Sequence, residues 1–106
     1  MFTSSQASTF PNQIRVKGLP FMLQGWNNVY YKTNEISDGK PVYRLNPYTL
    51  YYTIPIIGVT IRKVDGVWVL QRDCDDSPLM NLNKYGGQDD PFGFWSQGMK
   101  VEPVCN

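Results

Sequence analysis

Histidine is absent from this sequence of 106 residues, and cysteine is nearly so, with only Cys74 and Cys105. Without an imidazole the chain has no Ser-His-Asp or Cys-His relay and no histidine metal ligand. Its two thiols, far apart in sequence, fit neither a zinc quartet nor a CxxC redox pair. Acids flank Cys74, and like charge disfavours a thiolate there, which argues against a reactive nucleophile. Both thiols are expected to be free, with a bridge open only if the C-terminal strand lies beside the segment that starts at Asp73.

An excess of one charge is missing too. Ten Lys plus Arg face nine Asp plus Glu, a net charge of +1. No overall field draws in nucleic acid or an anionic membrane, and neither is expected as a partner. The longest mainly apolar run, TLYYTIPIIGV at 49–59, contains Pro55 and reaches only about half a membrane span. The first residues carry neither basic charge nor an apolar core, so no signal peptide is expected, and the chain reads as soluble with its compartment open. No stretch keeps a 3.6-residue apolar period, which removes the amphipathic helix from the expected elements.

What the chain does have is a series of strand signals. Short runs rich in Val, Ile, Tyr, Phe, Trp or Thr, each closed by Gly, Pro, Asn or Asp, recur at 13–17, 21–24, 28–32, 41–45, 49–54, 58–64, 67–72 and 99–104. They predict an all-β fold: one small antiparallel domain of six to eight short strands, built as a curled sheet, a sandwich or a partly open barrel. Residues 1–12, small and polar, are expected to form a flexible N-terminal arm, with 13–106 as the single β domain.

The pair Asp65-Gly66, between GVTIRKV and VWVLQR, predicts a two-residue type I′ hairpin, because both turn positions need positive φ. That turn sets Val64 opposite Val67, Lys63 opposite Trp68 and Ile61 opposite Leu70, with Lys63 over the Trp68 ring. Val59, Ile61, Trp68 and Leu70 then share the core face. Six of the seven tyrosines fall within 25–52. Neighbours such as Tyr30 and Tyr31 point to opposite sides, so half or more of these rings should pack with their hydroxyls at the rim. The expected core is Val29, Tyr31, Val42, Leu50, Ile54, Val59, Ile61, Trp68, Leu70 and Phe94, and residues 33–40 are expected to loop around Asp38-Gly39.

Beyond Arg72 the character changes. Residues 73–98 hold five of the nine acidic residues, four glycines and two prolines. They read as a long irregular loop, with one short helical turn around Leu79 to Asn83, tied down by Phe92, Phe94 and Trp95.

Several motifs resemble a small β module of uncharacterised proteins from protists, algae and large DNA viruses. They are Asn-Asn-Val-Tyr at 27–30, Gly-Lys-Pro-Val-Tyr at 39–43, Leu-Tyr-Tyr at 50–52, Gly-Val-Trp-Val-Leu at 66–70, Pro-Phe-Gly-Phe-Trp at 91–95, and the closing Val101. The resemblance spans 25–101. This chain departs from that pattern at Asn28, at Asp38 and in a long polar insert at 73–90. The resemblance implies a recognition or structural module without an active site; in a virus, it implies a virion component or a host-interacting protein.

Three constellations within the chain bear on function. Trp26, Tyr85, Asp89, Asp90, Phe94 and Trp95 form a candidate binding surface, which suits a protein partner or, with Asn81, Asn83 and Gln88, a glycan. Asp73, Asp75 and Asp76 are the candidate calcium ligands, although their spacing matches no EF-hand. Carboxylate pairs such as Asp75 and Asp76 are adjacent on one loop and unlikely partners across a substrate, so no enzyme and no cofactor is expected. The leading expectation is a protein-binding or structural module that pairs with a partner, or with itself as a homodimer, through a sheet edge at 13–17 or 49–54.

Overall fold

The computed structural model describes residues 10–20, 25–46, 50–51, 54–55, 58–72, 78–84 and 89–104. Among the described residues ten strands follow one another: β1 (Gln13–Lys17), β2 (Val29–Ser37), β3 (Lys40–Leu45), β4 (Leu50–Tyr51), β5 (Ile54–Pro55), β6 (Val59–Val64), β7 (Val67–Arg72), β8 (Pro78–Lys84), β9 (Gly93–Phe94) and β10 (Lys100–Pro103). Eight of them form one antiparallel sheet in the order β8-β7-β6-β3-β2-β1-β10-β9, while β4 and β5 pair only with each other. The sheet curls into a nearly closed barrel, so the fold is all-β, as the strand signals predict.

Two Asp-Gly pairs make the hairpins. Asp65 and Gly66 have φ of 50° and 84°, and Asp38 and Gly39 have 55° and 76°, the left-handed values that a two-residue turn between twisted strands requires. The β6–β7 register is the expected one, with Val64 opposite Val67, Lys63 opposite Trp68 and Ile61 opposite Leu70. The two turns also hold each other. The Gly66 N–H donates to Asp38 Oδ2 at 3.0 Å, and Ser37 Oγ donates to the Lys63 carbonyl at 2.7 Å.

The second hairpin corrects the expectation of a loop at 33–40. β2 continues to Ser37, with an irregularity between Lys32 and Ile36. Thr33 spans it: its hydroxyl donates to the Val42 carbonyl at 2.8 Å and accepts from the Glu35 N–H at 3.1 Å. Polar residues of low strand propensity are thus carried in the ladder by pairing with β3. The same physics corrects the segment read as irregular or helical at 79–83. It is strand β8, paired to β7 with Trp68 opposite Lys84 and Val69 opposite Asn83. The run at 49–54 is the short β4–β5 hairpin rather than one strand, and β1 is an interior strand between β2 and β10 rather than an edge. Residues 21–24 and 1–9 lie outside the described residues. The end of the supposed arm is held in place: the Pro11 carbonyl accepts from the Tyr43 hydroxyl at 2.7 Å, the Asn12 carbonyl accepts from the Lys32 N–H at 2.8 Å, and Phe10 packs against the core.

The barrel interior contains Ile14, Val16, Leu19, Tyr30, Tyr43, Leu45, Val59, Ile61, Trp68, Leu70, Trp95, Met99 and Val101. Val59, Ile61, Trp68 and Leu70 are therefore core, and Val42 is buried as well. Three expected core residues are not, and the side chains of Leu50 and Ile54 lie outside the described residues. Val29 is only partly buried, because it opposes Arg15 on the face that Tyr31 shares. Tyr31 is 40% exposed while Tyr30 is buried, because Ile14 and Leu45 oppose Tyr30 and fix it inward. Phe94 is 73% exposed while Trp95 takes the interior place. A one-residue step inverts the face of a strand, and here the partner strands choose the step. Glycine matters most at Gly18, where φ is +86° and a Cβ would lie 2.5 Å from the Gly98 carbonyl oxygen. That contact lets the chain turn back beside the segment leading into β10.

Burial pushes the phenols of Tyr30 and Tyr43 well above the ordinary tyrosine range. Both hydroxyls donate to backbone carbonyls, Tyr30 to Trp26 at 3.0 Å and Tyr43 to Pro11. Folded pKa values raised above the unfolded value of about 10 leave the stability they support intact below that pH. It is lost as pH rises from the unfolded through the folded values. Tyrosinate absorbance should therefore show a late fraction that ionises only with cooperative alkaline unfolding, and a single reversible titration of all seven tyrosines near pH 10 would contradict this.

Candidate functional site

The seam between β8 and β9 brings together most of the described candidate residues. Asn83, on β8, donates its backbone N–H to Ser96 Oγ at 3.0 Å, a side-chain bond where a ladder bond would stand in a closed barrel. Just beyond it, three residues oppose one another across β6, β7 and β8: Lys63, Trp68 and Lys84. Antiparallel partners share a face, and Trp68 faces the interior, so both lysines start inward. Each turns its ammonium to an oxygen on residues 89–90. Lys84, with a side chain only 7% exposed, donates to the Asp90 carbonyl at 2.8 Å and lies 3.4 Å from Asp90 Oδ1. The Lys63 ammonium is 3.6 Å from Asp89 Oδ1, and Lys40 approaches the same atom at 3.9 Å.

These contacts give the two aspartates a physical task. A buried ammonium costs several kcal/mol unless oxygen atoms meet it. Asp90 serves Lys84 with both carbonyl and carboxylate, and its Oδ1 also accepts the Phe92 N–H at 3.0 Å, which shapes the turn into β9. Asp89, its side chain 78% exposed, faces Lys63 and Lys40 from outside. Such exposed pairs contribute about 0–1 kcal/mol. The Asp90 carboxylate is thus taken up by protein donors, and among the described residues no three Asp, Glu or Cys side chains gather as a metal would need.

The aromatic candidates separate into interior and surface. Trp95 is 5% exposed, and its indole N–H donates to the Pro91 carbonyl at 2.7 Å. It fills the barrel beside Met99 and offers no ring to a ligand, which removes it from the candidate surface and takes the strongest stacking ring from a glycan platform. Trp26 is half-buried against the core, and its Nε1 is buried without a hydrogen-bond partner. Phe94 alone among the described candidates presents its ring to solvent, with the Lys100 ammonium 5.4 Å from its centroid. Asn83 contributes through its backbone, and its buried Oδ1 also lacks a partner. Tyr85, Gln88, Asp73, Cys74, Asp75, Asp76 and Cys105 lie outside the described residues.

Sequence reasoning missed Lys84 because its strand was not recognised; once β8 is paired to β7, its inward direction follows. It also missed the row Phe94, Lys100, Lys17, whose members oppose one another across β9, β10 and β1. No local signal predicts the pairing of the last strand with the first.

The Lys84–Asp90 contact leads to an asymmetry that urea unfolding can measure. Asp90→Ala should lower stability by about 1–2 kcal/mol, less than for a fully buried pair because the carboxylate is partly exposed and the carbonyl remains. Lys84→Met, which replaces the ammonium by apolar volume, should stay within about 1 kcal/mol of the parent. Equal losses, or a larger loss for Lys84→Met, would show that the pair does not act this way. Set beside family models, curated proteins and solved structures, the chain finds no match in any of the three comparisons.

Proposed function

We propose that the protein is a non-catalytic binding module that takes a protein partner at the β9 margin of its sheet, with Phe94 as the apolar anchor. The observation that carries this reading is the ring of Phe94, 73% exposed on a margin strand and flanked by a lysine. An aromatic ring held on a strand loses little conformational freedom when covered, which is why such rings serve as interface anchors. The carboxylates of Asp89 and Asp90, by contrast, face lysines of the protein itself. Motifs that resemble the β module of protist and large DNA virus proteins extend the reading to a virion-associated or host-interacting role. A second copy of the chain, making a homodimer, is the simplest partner to test first.

Light scattering after size exclusion, together with affinity capture from a eukaryotic lysate, tests this with the parent and Phe94→Ser. Because the ring is exposed, Phe94→Ser should leave the melting temperature within a few degrees of the parent. It should weaken the retained partner or the self-association by at least about tenfold. Equal retention by the parent and Phe94→Ser would overturn the anchor.

A further inference from the structure

We propose that the outer face of the β9-β10-β1-β2 margin recognises an acidic, extended peptide segment. This rests on the reading of Phe94 as a partner anchor and adds the chemistry of what binds. Antiparallel partners share a face, so the registers lay the surface out in rows. Phe94 opposes Lys100, and Lys100 opposes Lys17. The next row holds Glu102 and Arg15, and the one after it Gln13, Tyr31 and Arg44. Arg62 lies two residues beyond Thr60, the partner of Arg44, and continues the positive charge along β6. Among the described residues beside the ring, Lys100, Lys17 and Arg15 therefore outnumber the one carboxylate, Glu102, on a molecule whose total charge is only +1.

The carboxylates present are already engaged. Glu102 pairs with Lys17 at 3.1 Å, and Glu35 lies 2.8 Å from Arg62 and 3.8 Å from Arg44. Among the described residues, Arg15 and Lys100 have no carboxylate within ion-pair distance. Among the described residues, the surface around the exposed ring thus carries more positive than negative charge. Electrostatic complementarity selects an acidic segment with an apolar residue for Phe94.

The seam side of β9 is already spanned by the Lys84–Asp90 and Asn83–Ser96 contacts, so a partner meets this margin on its outer face. Phe94, Lys100 and Lys17 stand in one row across three strands there, and a segment reaches all three by lying extended along that row. Single-stranded nucleic acid, the other polyanion, fits less well. Phe94 and Tyr31 lie three strand spacings apart, at least about 14 Å, too far to stack neighbouring bases. Glu102 and Glu35 would also stand beside its phosphates.

Fluorescence anisotropy with the full chain and three labelled probes tests the inference. The probes are a peptide repeating Glu-Val-Glu-Thr, its Ser-Val-Ser-Thr counterpart and an oligothymidylate of similar length. The acidic peptide should bind at least about tenfold more tightly than the neutral one at low salt, with the preference fading as salt screens it. The double variant Arg15→Glu, Lys100→Glu, confirmed as folded by circular dichroism, should lose that preference. If the neutral peptide binds equally well and Phe94→Ser weakens both, the acidic preference is overturned while the anchor stands. If neither peptide binds, the inference falls, and the anchor is judged by the capture experiment alone. Tighter binding of the oligothymidylate would replace the acidic peptide with nucleic acid.

Discussion

The ammonium of Lys84 enters the barrel from a margin strand, opposite Trp68, where water is nearly excluded. Such a group must find oxygen atoms within reach, and among the described residues Asp90, on the far side of the seam, provides them. Meeting that need draws residues 89–95 across the gap. The same aspartate orders the turn through the Phe92 N–H, the Pro91 carbonyl then takes the Trp95 indole, and Trp95 closes the interior. Ser96 completes the join by accepting the Asn83 amide. A curled sheet with two bare margins would expose a line of unpaired backbone groups to other chains. Here side chains rather than a ladder span that line.

Where a local rule decided the outcome, the sequence was legible. Asp65-Gly66 imposes its turn and hence its register, and the alternation from that turn places Val59, Ile61, Trp68 and Leu70 in the core. Where the outcome depended on a distant strand, it was not. PLMNLNK has little strand character of its own and becomes β8 because β7 offers it a ladder. Tyr30 rather than Tyr31, and Trp95 rather than Phe94, face inward because neighbouring strands set the phase. A strand's period of two cannot say which of two adjacent aromatics is inside. The candidate site was half legible for the same reason: Asp89, Asp90 and Phe94 were visible as residue types, and the Asp65-Gly66 turn placed Lys63, but Lys84 came from β8, whose pairing no local signal announces.

The motifs at 39–43, 66–70 and 91–95 contain residues that build the barrel. Gly39 makes a turn, Val42, Tyr43 and Trp68 are buried, and Trp95 plugs the seam. They speak for architecture. Recognition in the proposed function rests instead on Phe94, the outward-facing member of the 91–95 motif, and on the basic residues of the outer face around it. An overall charge of +1 conceals a surface on which β9, β10 and β1 gather lysine and arginine beside an exposed ring. Net charge describes the chain, whereas a partner meets one face of the fold.

Native-state hydrogen exchange at the Asn83 amide tests the closure of the barrel most directly, because that N–H lies on the outer margin of β8 and is bonded only if the seam is shut. With the seam shut, its protection is close to that of the interior amides of β7, and it falls in Asp90→Ala while the β7 amides are less affected. Exchange of Asn83 as fast as a free edge amide in the parent protein would contradict it and leave the sheet open.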